Sequence, residues 1–191
     1  MKILTFTVGL LLLPALGLAD NSDPRSDPTH YVTAFYGRSQ LIFGSEDNRF
    51  GGGIAFGYGR PEPRFANGSI AAQMVYETYV DHTQSPGGGG IAPNSTFAGG
   101  VLAYSRWLWP TDQYGNGVYA DLGWGFQVAT ETTLDLESIF NSTPVLGFGG
   151  IFKDGNHDYL VGIRYLHISN AGFVKPNYGQ NELFLTIGFR Y

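Results

Sequence analysis

Beyond residue 19 the chain has no apolar run long enough for a membrane helix, yet much of it alternates apolar and polar residues with a period of two. Period-two alternation puts successive side chains on opposite faces of an extended strand. In 118–128, Val118, Ala120, Leu122, Trp124, Phe126 and Val128 share one face, opposed by Tyr119, Asp121, Gly123, Gly125 and Gln127. In 69–81, Ile70, Ala72, Met74, Tyr76 and Val80 oppose Ser69, Gln73, Glu77 and Asp81. The stretch 181–191 ends the same way, with Leu183, Leu185, Ile187, Phe189 and Tyr191 against Glu182, Thr186, Gly188 and Arg190. Eight strands are expected, near 30–40, 51–60, 68–82, 96–109, 116–129, 143–153, 157–169 and 181–191.

Turn residues separate these runs. Pro61-Glu62-Pro63, Pro110 to Asn116 and Asp154-Gly155-Asn156 mark short connections, and longer ones lie near 41–50, 83–95, 130–142 and 170–180. Short and long connections alternate, as in outer-membrane barrels with short periplasmic turns and long outer loops. Gly87 to Gly90 fits such a loop; no Lys-Ser/Thr pair follows to make it a phosphate cradle.

Residues 1–19 read as a secretory signal peptide: Lys2, an uncharged apolar stretch from Ile3 to Leu18, and small Gly17 and Ala19 before a cut at Asp20. The rest, 20–191, is expected to be one domain. Acidic residues outnumber basic ones, giving a net charge of −5, and no basic patch suggests nucleic acid. There are no cysteines, hence neither disulfides nor thiolate chemistry.

The same alternation could build a soluble barrel with its apolar face around a ligand. Glycine argues for the reverse. With 28 glycines in the chain, the second face is small and charged, suited to fill a narrow interior while large apolar residues meet lipid. The expected fold is therefore all-β, an eight-stranded antiparallel transmembrane barrel in the outer membrane. An even strand count leaves both termini in the periplasm, so the seventh strand runs outward and ends near Ser169.

That strand carries Val161, Ile163, Tyr165, His167 and Ser169 on its lipid side. Two residues apart, the last pair has Cα atoms about 6.5–7 Å apart. Converging side chains could bring base and hydroxyl within hydrogen-bond reach, the minimum machinery for acyl transfer. A base needs an orienting group, and parity assigns that place to Asn181 on the eighth strand, with Glu182 facing inward as an alternative orienting acid. The bland alternative is a polar pair at the rim of a non-catalytic barrel, adhesive or structural, that works through its outer loops.

The string His167-Ile-Ser169-Asn170-Ala171-Gly172, followed by Pro176-Asn177-Tyr178-Gly179, resembles the signature of the lipid A 3-O-deacylases. The resemblance implies an eight-stranded outer-membrane barrel that releases the ester-linked 3-O-acyl chain of lipid A. It implies Ser169 as nucleophile, His167 as general base, and oxyanion stabilisation near Asn170 and Gly172. The family's acid falls at Asn181, where this chain has an amide. Lipid A, the lipid of lipopolysaccharide, and the surrounding outer-membrane lipids are the expected partners; an oligomer is allowed but not required. No cofactor or metal is expected. His30, His82 and His157 read as isolated surface or rim residues.

Overall fold

The computed structural model describes residues 28–67, 70–87, 92–112, 116–154, 157–175 and 177–191. The leader expected over 1–19 and the glycines at 88–90 lie outside the described residues. The strands are β1 (Thr29–Ser39), β2 (Phe50–Pro61), β3 (Ala71–Ser85), β4 (Asn94–Pro110), β5 (Gly117–Ala129), β6 (Phe140–Ser142), β7 (Val145–Asp154), β8 (His157–Ile168) and β9 (Gln180–Arg190). Every neighbouring pair is antiparallel, and β1 pairs with β9 from Tyr31↔Arg190 to Ser39↔Glu182, closing the sheet into an eight-stranded barrel with no free edge.

Nine labels make eight barrel strands because β6 and β7 occupy one place in the wall. β5 pairs with β7 over Gly117–Gly123 and with β6 over Phe126–Val128. The break falls at Thr143-Pro144. Proline has no N–H to give to the ladder, so the chain kinks there and resumes pairing on either side. The expected strand 143–153 thus captures β7 and misses β6.

The faces follow parity. Ile54, Phe56, Trp124, Phe126, Ile163 and Leu185 point outward and are exposed, while Glu77, Asp121, Arg106, Arg164 and Tyr104 are buried inside. In water such a belt of exposed aliphatic and aromatic side chains would drive association; around a barrel it is the lipid surface.

In the middle of the barrel, charge is neutralised by local pairs. Arg106 grips Asp121 with Nε and Nη2, each at 2.7 Å. Its guanidinium carbon also lies 4.5 Å from the Tyr119 ring centre and 4.8 Å from that of Tyr31. Arg164 grips Glu77 at 2.5 and 3.1 Å, and the Tyr104 hydroxyl donates to the same carboxylate at 2.9 Å. Removing one partner of a buried pair strands the other and costs about 3–5 kcal/mol. Glycine makes room for these rings: a Cβ at Gly100 would lie 2.5 Å from the Tyr79 ring.

The outer loops are tied into a canopy. The buried Asp135 carboxylate, between β5 and β6, accepts from Ser45 Oγ at 2.6 Å and from the backbone N–H of Glu46 and Asp47 at 2.9 and 3.0 Å. The next residue, Leu136, bridges to Asn177 in the loop between β8 and β9.

Candidate active site

The β8–β9 ladder sets His167 directly opposite Asn181. Cross-strand neighbours on one face stand close enough for side chains to meet, and here they do. Asn181 is fully buried. Its Oδ1 accepts from His167 Nδ1 at 2.8 Å and from the Tyr165 hydroxyl at 2.6 Å, while its Nδ2 donates to the carbonyl oxygen of Ile42 at 3.0 Å. A carbonyl can only accept, so the Ile42 contact fixes which end of the amide faces the histidine. It follows that Nδ1 carries a hydrogen, so that in the neutral ring Nε2 presents a lone pair. A carboxylate at 181 would set an oxygen against the Ile42 carbonyl. An amide, with one accepting and one donating end, suits both neighbours.

The free edge of the ring is also fenced. Gly179 has φ +76°, and a Cβ there would lie 2.6 Å from His167 Cε1 and 3.3 Å from Nε2. Both the left-handed backbone and the ring contact require glycine at this position.

Ser169 follows β8 on the side of the wall that carries His167, and both side chains are half-buried. Its backbone is held by Ser142: Ser142 N donates to Ser169 O at 2.7 Å and Ser169 N to Ser142 O at 3.1 Å. Pro144 O accepts from His167 N at 3.0 Å. The break between β6 and β7 therefore sits directly against the two residues. No hydrogen bond joins the Ser169 hydroxyl to the His167 ring.

Past Ser169 the chain turns through Ala171 (φ 55°) and Gly172 (φ +80°). Asn170 organises this turn: its Oδ1 accepts from Gly172 N at 2.9 Å, its Nδ2 donates to Val174 O at 2.9 Å, and its backbone N–H donates to Asn177 Oδ1 at 3.1 Å. The two positions expected to hold an oxyanion are thus adjacent to Ser169, with the Gly172 N–H given to Asn170. Glu182, the alternative orienting acid, is on the other side of the wall. It is buried, and its Oε1 accepts from Gln180 Nε2 at 2.5 Å inside the barrel. Adjacent strand residues face oppositely, so it cannot serve His167. The remaining histidines lie against outward aromatics: His82 stacks on Phe97 with ring centres 4.2 Å apart, His30 stacks on Tyr191, and His157 is tilted against Phe189.

Tyr165 and the Ile42 carbonyl were not anticipated as parts of the site, and Gly179 entered only as the last residue of the family string. Parity could have pointed to Tyr165, two residues before His167. Nothing in the sequence signals a backbone carbonyl 139 residues away from its partner.

A family model described as lipid A 3-O-deacylase (PagL) matches residues 66–190, a stretch that contains His167, Ser169 and Asn181. The chain belongs to the lipid A 3-O-deacylase family. This deacylase is accordingly an outer-membrane hydrolase whose substrate is lipid A. Among solved structures, the outer membrane enzyme PagL is similar at 20% identity and TM-score 0.61, over 83% of this chain and 97% of that one. Neisserial surface protein A (NspA) is similar at 16% identity and TM-score 0.55, over 85% and 95%. At such identities these structures speak for the fold alone. No curated protein matches the deacylase sequence.

Proposed function

We propose that His167 and Ser169 carry out the deacylation, with Asn181 as the orienting group. The single observation that supports this most is the 2.8 Å contact between His167 Nδ1 and Asn181 Oδ1 on the lipid side of the wall. It leaves Nε2 as a base directed away from its anchor, with Ser169 next along the same face. A rotation of the serine side chain would carry Oγ toward that nitrogen; such contacts commonly tighten only when substrate is bound.

In this reading Nε2 takes the Ser169 proton as Oγ attacks the ester carbonyl carbon of the 3-O-acyl chain. The resulting oxyanion is met by donors from the Asn170–Gly172 turn. Asn170 Nδ2 keeps one hydrogen after its bond to Val174, and the Gly172 N–H would be released from Asn170 on binding. Each well-aimed donor is worth about 2.7–4 kcal/mol of barrier. Collapse breaks the ester C–O bond as the histidine gives its proton to the departing sugar oxygen, which leaves as a hydroxyl. Water, deprotonated by the same nitrogen, then attacks the acyl-serine carbonyl; the Oγ–C bond breaks, the fatty acid leaves, and the histidine returns the proton to Oγ. Asn181 stabilises the imidazolium through a dipole rather than a charge, so the base is held in the right tautomer with less electrostatic help than a carboxylate gives. Lateral diffusion within the outer leaflet delivers the substrate.

The experiment is to express the protein in a bacterium with 3-O-acylated lipid A and weigh the lipid A by mass spectrometry. Loss of one hydroxyacyl chain is expected. Ser169→Ala and His167→Ala should each lower the rate by at least about a thousandfold while the barrel keeps its heat-modifiable migration. Unchanged activity in either folded variant would refute this assignment of roles. We also propose that residues 1–19 are removed on export; N-terminal sequencing of the outer-membrane form should begin at Asp20.

A further inference from the structure

The outer end of the barrel interior contains a group of side chains that the chemistry above does not use. A small cavity of about 20 Å³ has in its lining Asp81 of β3, Asn141 of β6, Glu182 of β9, and Glu131 and Thr133 of the loop between β5 and β6. That volume holds one water-sized occupant. Three oxygens around it, Glu182 Oε2, Asn141 Oδ1 and Thr133 Oγ1, are buried and have no hydrogen-bond partner. Glu182 and Asn141 are each 1% exposed. Buried polar atoms in native proteins nearly always have partners, so several orphans lining one cavity indicate an occupant.

Charge narrows the choice. Deeper in the barrel, Glu77 and Asp121 each have their own arginine. The nearby cation at the outer end is Arg49, and its five N–H groups are already committed. Nε donates to Thr83 Oγ1, Nη1 to Asp47 and Asn94, and Nη2 to Thr83 O and Thr96. None is left for Asp81 or Glu182. Three carboxylates, the buried Asp81 and Glu182 and the exposed Glu131, therefore line one small cavity without help from that base, and the unpartnered atoms beside them are all oxygen. Carboxylate, amide carbonyl and hydroxyl oxygen form a hard ligand set, suited to calcium rather than to zinc or copper. Among the described residues no three His, Cys, Asp or Glu side chains converge, so two carboxylates completed by neutral oxygens and water would make up the shell.

We propose that this cavity binds a single calcium ion, which ties β3, β6, β9 and the loop between β5 and β6 together at the outer end of the barrel. Glu182 directly follows Asn181, so the ion would brace the strand that carries the orienting amide from inside while the catalytic pair works outside.

The test uses the full barrel refolded in detergent, with its melting temperature read by heat-modifiable migration in calcium or in EDTA at constant ionic strength. At a hundredfold excess over Kd the expected rise is roughly 5–10 °C. Glu182→Gln and Asp81→Asn, both isosteric, should refold and lose the calcium-dependent part of the shift. Ser169→Ala should keep it, which separates this site from the catalytic one. Should one variant fail to refold, the other carries the test, and calorimetric titration of the unaltered protein with CaCl2 should give one ion per chain. Absence of any calcium response, or a response that survives in a refolded Glu182→Gln or Asp81→Asn barrel, would overturn the proposal.

Discussion

The two faces of β8 solve the same problem differently. Inside, Arg164 meets Glu77 as a full ion pair, with Tyr104 on the same carboxylate. Outside, three residues along the strand, His167 meets the neutral amide of Asn181, with Tyr165 on the same oxygen. Each is a polar cluster of base, acceptor and tyrosine, but only the inner one sets an arginine against a carboxylate. The interior pair has no water to return to and holds the wall shut. In the proposed reaction the outer cluster changes protonation, and an amide fixes its geometry without locking in a charge.

Breaking the inner cluster should have the largest effect, and that effect should be on stability. Arg164→Leu leaves Glu77 unpaired and should cost about 3–5 kcal/mol, read as a lower denaturant midpoint. Activity per folded molecule should change little. Asn181→Leu reverses the pattern. It removes the acceptor for His167 Nδ1, and kcat should fall by about a hundredfold to a thousandfold, because the imidazole loses its tautomer and orientation. Heat-modifiable migration should persist. Gly179→Ala pushes on the ring edge that bears Nε2 and should lower kcat by about tenfold to a hundredfold, as small misplacements in a catalytic geometry do. Tyr165→Phe sharpens the comparison most finely. It deletes one hydrogen bond worth about 0.5–1.5 kcal/mol, so a loss of roughly twofold to tenfold in kcat is expected, with KM unchanged. A Tyr165→Phe effect as large as that of Asn181→Leu would mean that the tyrosine, not the amide, holds the histidine.

The alternation of apolar and polar residues was enough to read most of the barrel. The strand limits around β5, β8 and β9 fall within a residue or two of expectation because each run keeps one strict parity. β6 was missed because Pro144 breaks the pattern and three residues are too few to show a period. In the site, parity put His167, Ser169 and Asn181 on one face and Glu182 on the other, and register did the rest. The Ile42 carbonyl could not be anticipated. Its placement depends on how the loop between β1 and β2 folds back over β9, and that loop is set by the buried Asp135 from another part of the chain.

The clasped guanidinium and carboxylate groups across the lumen also bear on the cell that carries this protein. Among the described residues, Tyr104, Arg106 and Arg164 are buried in the bore, and Arg164 on β8 reaches Glu77 on β3, an arrangement that should leave ions no open path. Planar bilayers containing the purified protein should stay electrically silent. Many copies can then sit in the envelope, editing its outer lipids, without opening a leak for antibiotics or draining small solutes.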